Sequence, residues 1–150
     1  MRKIESFRIR ATGVLIIENK ILLVRQEVTK NRNWSLPGGK VEENETLTNA
    51  LEREIFEETG LNVKCIKLLY LCEKFSTKEP YLHITFLLEM VGGKIKLPTN
   101  EYESTPISDV KFVDCNKLKE YGFSEKFQNI VLNGFKDAGN YMGDKSNIGL

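Results

Sequence analysis

Gly39-Lys40-Val41-Glu42-Glu43-Asn44-Glu45-Thr46-Leu47-Thr48-Asn49-Ala50-Leu51-Glu52-Arg53-Glu54-Ile55-Phe56-Glu57-Glu58-Thr59-Gly60-Leu61 is the stretch that decides how the chain is read. Its second half reads as a helix over residues 45–59. Asn44 is the expected N-cap and Gly60 the residue past the C-terminus. Leu47, Leu51 and Ile55 recur every four residues and give one apolar stripe. Beside it, Glu54, Glu57 and Glu58 stand at i, i+3 and i+4, so three carboxylates share one helix surface. On the residues alone this is either a solvated acidic face or a set of hard oxygen ligands for a divalent cation.

The fixed positions around the acids select between these readings. Gly39, five residues, Glu45, seven residues, then Arg53-Glu54-Ile55-x-Glu57-Glu58-x-Gly60-Leu61 resembles the signature of the Nudix hydrolases at every fixed position. The resemblance implies a Nudix-type α/β/α sandwich of the α+β class, with a mixed sheet and the signature folded as loop–helix–loop. It implies that Glu54, Glu57 and Glu58 bind Mg²⁺, with Mn²⁺ as a substitute, and that the carbonyl of Gly38 adds a backbone ligand. In relatives the arginine at the position of Arg53 orients the glutamates, and the glutamate at the position of Glu45 supports the same motif. The general base varies within the family. Here it is either a signature glutamate, Glu54 or Glu57, or a remote loop acid, for which Glu101 and Glu103 are the candidates and Glu89 a weaker one.

The rest of the chain agrees with one domain. A length of 150 residues suffices for a single core. Residues 7–17 and 21–24 read as a strand pair joined by a polar turn, and Trp34-Ser35-Leu36 as a short extended piece stopped by Pro37-Gly38-Gly39. Residues 61–72, 81–91 and 110–113 read as strands, 116–120 as a helical turn and 124–135 as a second helix. On 81–91 one face carries Tyr81, His83, Thr85, Leu87 and Glu89. The domain is expected to span 1–136, followed by an irregular tail over 137–150.

Composition narrows the partners. Lys and Arg (22) nearly balance Asp and Glu (21), so no global field recruits duplex DNA, long RNA or an anionic membrane. Three cysteines, Cys65, Cys72 and Cys115, form no C-x-x-C pair and read as small buried hydrophobes of a reduced, cytoplasmic protein. The N-terminus lacks a signal-peptide core and no apolar run could span a bilayer. Arg25 and Lys40 are candidates to meet phosphate, and Trp34, Tyr81 and Phe112 to stack on a base. The expected function is Mg²⁺-dependent cleavage of a diphosphate linkage in a small nucleotide. ADP-ribose-like compounds lead; a nucleoside triphosphate or a catalytically silent nucleotide sensor are the alternatives. The proline that tends to mark ADP-ribose enzymes is displaced here: Ser76 and Thr77 stand in its neighbourhood, with Pro80 and Tyr81 later. Because Nudix domains often form dimers, a homodimer is an open expectation.

Overall fold

A computed structural model describes residues 8–26, 32–75, 80–99 and 106–150. Strand β1 (Arg8–Val14) breaks at Leu15 before β2 (Ile16–Ile17), which turns into β3 (Lys20–Arg25). The turn is two residues long. Glu18 and Asn19 both take left-handed backbone, with φ 51° and 63°, the geometry that matches the twist of a tight hairpin. β4 (Trp34–Ser35) and β5 (Gly38–Lys40) follow, then α1 (Leu47–Thr59), β6 (Leu61–Lys74), β7 (Tyr81–Gly93) and β8 (Asp109–Asp114). A 3₁₀ turn (Cys115–Tyr121), α2 (Glu125–Leu132), β9 (Asn140–Asp144) and a second 3₁₀ turn (Lys145–Ile148) complete the chain.

The strands form two sheets. One runs β5-β1-β7-β6-β9 and is mixed: β1 is parallel to β7 and antiparallel to β5, β6 is antiparallel to β7, and β9 is parallel to β6. In the other, β3 pairs with β2 and β4 along one edge and with β8 along the other, all antiparallel. β3 is buried on both faces, and its alternation feeds two cores. Leu22 and Val24 pack with Leu51 and Ile55 of α1 and with Ala11, Leu61, Val63 and Leu88. Ile21 and Leu23 pack with Phe127 and Val131 of α2 and with Leu69, Val113 and Leu118. The result is the expected sandwich, with a helix against each side.

Several local expectations are corrected. The helix begins at Leu47, not Glu45, because the Thr46 hydroxyl accepts from the Asn49 N–H at 3.1 Å, whereas Asn44 takes left-handed backbone with φ 63° in the preceding turn. Gly38 and Gly39 do not simply stop a strand. They form β5 against β1, at a φ of 152° for Gly38 that an L side chain rarely adopts. The tail is not irregular. β9 takes the free edge of β6, and Ile148 is fully buried in the α2-side core. Among the described residues no helix is long and apolar enough to cross a membrane. No cysteine is paired; Cys72 and Cys115 are buried and Cys65 half-buried.

Candidate active site

The acidic motif closes on itself through one arginine. The Arg53 fork grips Glu45 with both prongs, Nε to Oε2 at 2.7 Å and Nη2 to Oε1 at 2.9 Å. Its Nη1 also donates to Glu54 at 3.0 Å and Glu57 at 3.2 Å, and Glu42 lies 3.9 Å away. Such bidentate, charge-assisted bonds are the strong kind. They push the Glu45 carboxyl down to about 2 and raise Arg53. Glu45 in turn is held by the Glu42 N–H at 2.9 Å, which ties the loop to the helix.

The other carboxylates lean on β5. Glu58 accepts from the Gly38 N–H at 3.0 Å. The Glu54 carboxylate packs so tightly on Gly39 that a Cβ there would lie 2.5 Å from its Cδ. Glycine at Gly38 is more strictly required, because a Cβ there would collide with the backbone of Ala11 and Thr12. The two glycines therefore let α1 bring Glu54 and Glu58, one turn apart, down onto the strand. Glu57 is 57% exposed and is held by Arg53.

These residues fit a hard divalent cation. Every donor is oxygen, and one guanidinium faces four carboxylates, leaving an anionic excess at the motif. Among the described residues no three acidic, imidazole or thiol groups are already drawn together as a ligand cluster. In this arrangement Arg53 and the Gly38 N–H hold the acids.

A cavity of about 270 Å³ opens on the other side of Gly38. Its floor is a pleated face of three strands in register. Arg10 pairs with His83 and His83 with Cys72; Thr12 pairs with Thr85 and Thr85 with Tyr70. Tyr81, Arg32, Phe123, Lys145 and Leu150 help complete the walls. The Thr12 and Thr85 hydroxyls bond each other at 2.5 Å. Arg32 donates to the Trp34 carbonyl at 3.0 Å and lies 4.8 Å over the Phe123 ring. Burial, aided by nearby Lys145, Arg10 and Arg32, pushes His83 down to about 3, so its ring is neutral at ordinary pH. Burial likewise lowers Lys145 to about 8.

The predicted substrate residues divide. Tyr81 lines the cavity, with His83 5.1 Å away ring to ring. Trp34 does not; it packs edge-on against Tyr121 at 5.3 Å. Phe112 packs on the α1-side core. Arg25 and Lys40 are exposed and line no part of the cavity. Glu101 and Glu103 lie outside the described residues. Sequence reading missed Arg10, Arg32 and Lys145. Arg10 left no alternation to read, since its neighbours on β1 are exposed Ile9 and buried Ala11; Arg32 and Lys145 come from stretches without periodicity.

A model of the NUDIX domain matches residues 7–131. The chain is 32% identical over 117 residues to an ADP-ribose pyrophosphatase of Methanocaldococcus jannaschii, a match covering 76% of this chain and 66% of that protein. It is 42% identical over 66 residues to an 8-oxo-dGTP diphosphatase of Buchnera aphidicola, covering 39% of this chain and 51% of the other. These matches thus span between about half and two thirds of the relatives' lengths. Among solved structures, a MutT protein from Methanosarcina mazei superposes with a TM-score of 0.68 at 23% identity, covering 91% of this chain and 97% of that one. A UDP-X diphosphatase superposes with a TM-score of 0.69 at 22% identity, covering 93% and 69%. At that identity the structures speak for the fold alone. The matched domain spans most of the chain and takes in the whole motif from Gly39 to Leu61: the protein belongs to the Nudix family.

Proposed function

We propose that the protein is a Mg²⁺-dependent pyrophosphohydrolase that cleaves a diphosphate linkage in a small nucleotide, with Mn²⁺ able to substitute. The observation that carries this reading is the Arg53-centred carboxylate cluster pressed against Gly38 and Gly39, with a cation-lined cavity opening beyond Gly38. Glu54, Glu57 and Glu58, with the Gly38 carbonyl, would hold the ion. When bound, it lowers the pKa of a water and neutralises charge on the diphosphate. Arg53 keeps Glu54 and Glu57 in place, and Glu45 keeps Arg53 in place. The base that takes the water's proton is Glu54 or Glu57, or a remote acid at Glu101 or Glu103. Attack at phosphorus breaks one phosphoanhydride bond and releases two phosphorylated fragments.

An ADP-ribose-like compound, a nucleoside diphosphate linked to a second moiety, leads as substrate. The relative from M. jannaschii supports it. The likeness to the 8-oxo-dGTP diphosphatase, 42% identical over 66 residues, keeps a nucleoside triphosphate as the second reading. Phosphate release across nucleoside triphosphates, ADP-ribose, nucleotide sugars and dinucleotides tests the proposal. Turnover of at least one compound is expected, stopped by chelator and restored by Mg²⁺. A rate indifferent to chelator contradicts the metal assignment. Ligand-dependent stabilisation without any turnover points to a sensor.

A further inference from the structure

The cavity beyond Gly38 is far more cationic than a base pocket requires. Arg10, Arg32 and Lys145 converge on it, and among the described residues no Asp or Glu side chain lines it. Among the described residues neither Arg10 nor Lys145 has an acidic partner within 4 Å. Nearby acids are turned to other work. Asp144 caps the second 3₁₀ turn, accepting from the Ser146 N–H at 2.9 Å and its hydroxyl at 2.6 Å, and Glu73 accepts from the Tyr141 hydroxyl. Partly buried cations without counter-charges are costly to hold, which makes them informative.

Polar atoms tell the same story. Arg10 Nε and His83 Nε2 are buried with no hydrogen-bond partner among the described residues. The Tyr70 hydroxyl is also buried without a bond of good geometry, although Thr85 stands beside it. All three residues line the cavity. Buried polar atoms are normally satisfied, so a group of unsatisfied ones around one empty volume marks where a ligand's acceptors belong. Arg32, fixed over Phe123, adds a planar donor fork in a set orientation.

From this we infer that the cavity is an anion subsite for a phosphomonoester that the substrate carries in addition to its scissile diphosphate. The inference rests on the reading above that the chain takes a nucleoside diphosphate compound, and it deepens that reading. The diphosphate has its own site at the acidic motif, where the metal supplies the positive charge. Arg10, Arg32 and Lys145 are then a second, metal-independent recognition of charge. Three cations suit a dianion, and two guanidinium forks suit phosphate oxygens. A neutral His83 completes the set, since it can bond a phosphate oxygen or hydroxyl without adding a fourth charge.

Binding of inorganic phosphate to the metal-free protein, followed by calorimetry with chelator present, is the first arm of the test. Saturable binding is expected. It should weaken about tenfold in Lys145→Met and in Arg10→Gln, the share of one charge-assisted bond. Exposed Lys117 provides the control, and Lys117→Met should bind as wild type does. Removing an unpaired, partly buried cation should leave the melting temperature level or raise it, which separates lost binding from lost fold. The second arm compares kcat/KM for ADP-ribose with that for ADP-ribose phosphorylated on either ribose. Wild type should prefer one phosphorylated compound by about tenfold or more, and Lys145→Met should lose that preference through KM. Absent phosphate binding, or binding equal in both variants and wild type, overturns the inference. So does an equal loss on plain and phosphorylated compounds, which would assign the cations to the diphosphate itself. Should no compound be turned over, the hydrolase reading fails while phosphate binding still decides the subsite.

Discussion

The two sides of Gly38 are opposites in charge and in origin. On one, four carboxylates surround a single guanidinium, and all of them come from residues 42–57. On the other, three cations and a neutral histidine surround a cavity drawn from β1, the segment before β4, β7 and the end of the chain. The acidic side is written in local spacing, because one helix and one loop place every member. The cationic side exists only after strands far apart in sequence come into register. A compact acidic motif can thus be local in sequence, while the cationic cavity beside it is assembled by topology.

Breaking the acidic side should have the largest effect. Glu57→Gln removes one charge from a half-exposed side chain, so stability should move by about 0.5 kcal/mol or less. Turnover should fall on the order of a hundredfold or more, the size lost when a charge-stabilising group is removed from an active site. Phosphate binding in the cavity should be untouched. Wild-type rates in this variant would remove Glu57 from the metal site.

Gly39→Ala tests the seam between α1 and β5. The new methyl meets the Glu54 carboxylate at 2.5 Å and must displace it. Because the end of a side chain gives way rather than backbone, the stability cost should be about 1 kcal/mol or less. Turnover should drop about tenfold to a hundredfold, as when groups supporting a metal site are disturbed. An active enzyme with unchanged metal dependence would show that Glu54 need not sit where it does.

The smallest effect sharpens the role of Glu45. Its carboxyl is pulled from the ordinary 4.5 to about 2, first by the hydrogen bond from Arg53. A depressed acid contributes stability above its unfolded pKa and loses it as pH falls toward its folded one. Glu45→Gln should therefore melt below wild type at neutral pH, with the gap closing between pH 4.5 and 2. A gap that does not change with pH would mean that the charge of Glu45 contributes nothing to the clamp.

Much of the fold was legible in the chain, for physical reasons that differ by segment. α1 declared itself because its apolar stripe repeats every four residues and Gly60 ends it with φ 81°. β6 and β7 declared themselves by length and alternation. β9 did not. Asn140-Tyr141-Met142-Gly143-Asp144 has no alternating apolar face, and it is a strand because β6 offers a free edge. β5 was hidden for a related reason, since its glycines are chosen for closeness to β1 and α1 rather than for strand propensity. At the acidic motif, spacing placed Glu54, Glu57 and Glu58 on one helix surface, and there Arg53 bonds Glu45, Glu54 and Glu57. Trp34 packs on Tyr121 and Phe112 on the α1-side core, a use that an aromatic on a strand has as readily as ligand contact.

The strand alternation beneath the cavity separates two kinds of change. Arg10, Thr12, His83 and Thr85 face the cavity, while Ala11 and Leu88 of the same strands belong to the core against α1. Substitutions at Arg10 and His83 change the cavity wall, whereas Thr12 also lies opposite Gly38, whose N–H holds Glu58. A library confined to those alternate positions, with Tyr81 added, would vary the cavity lining while leaving the residues of the acidic motif as they are.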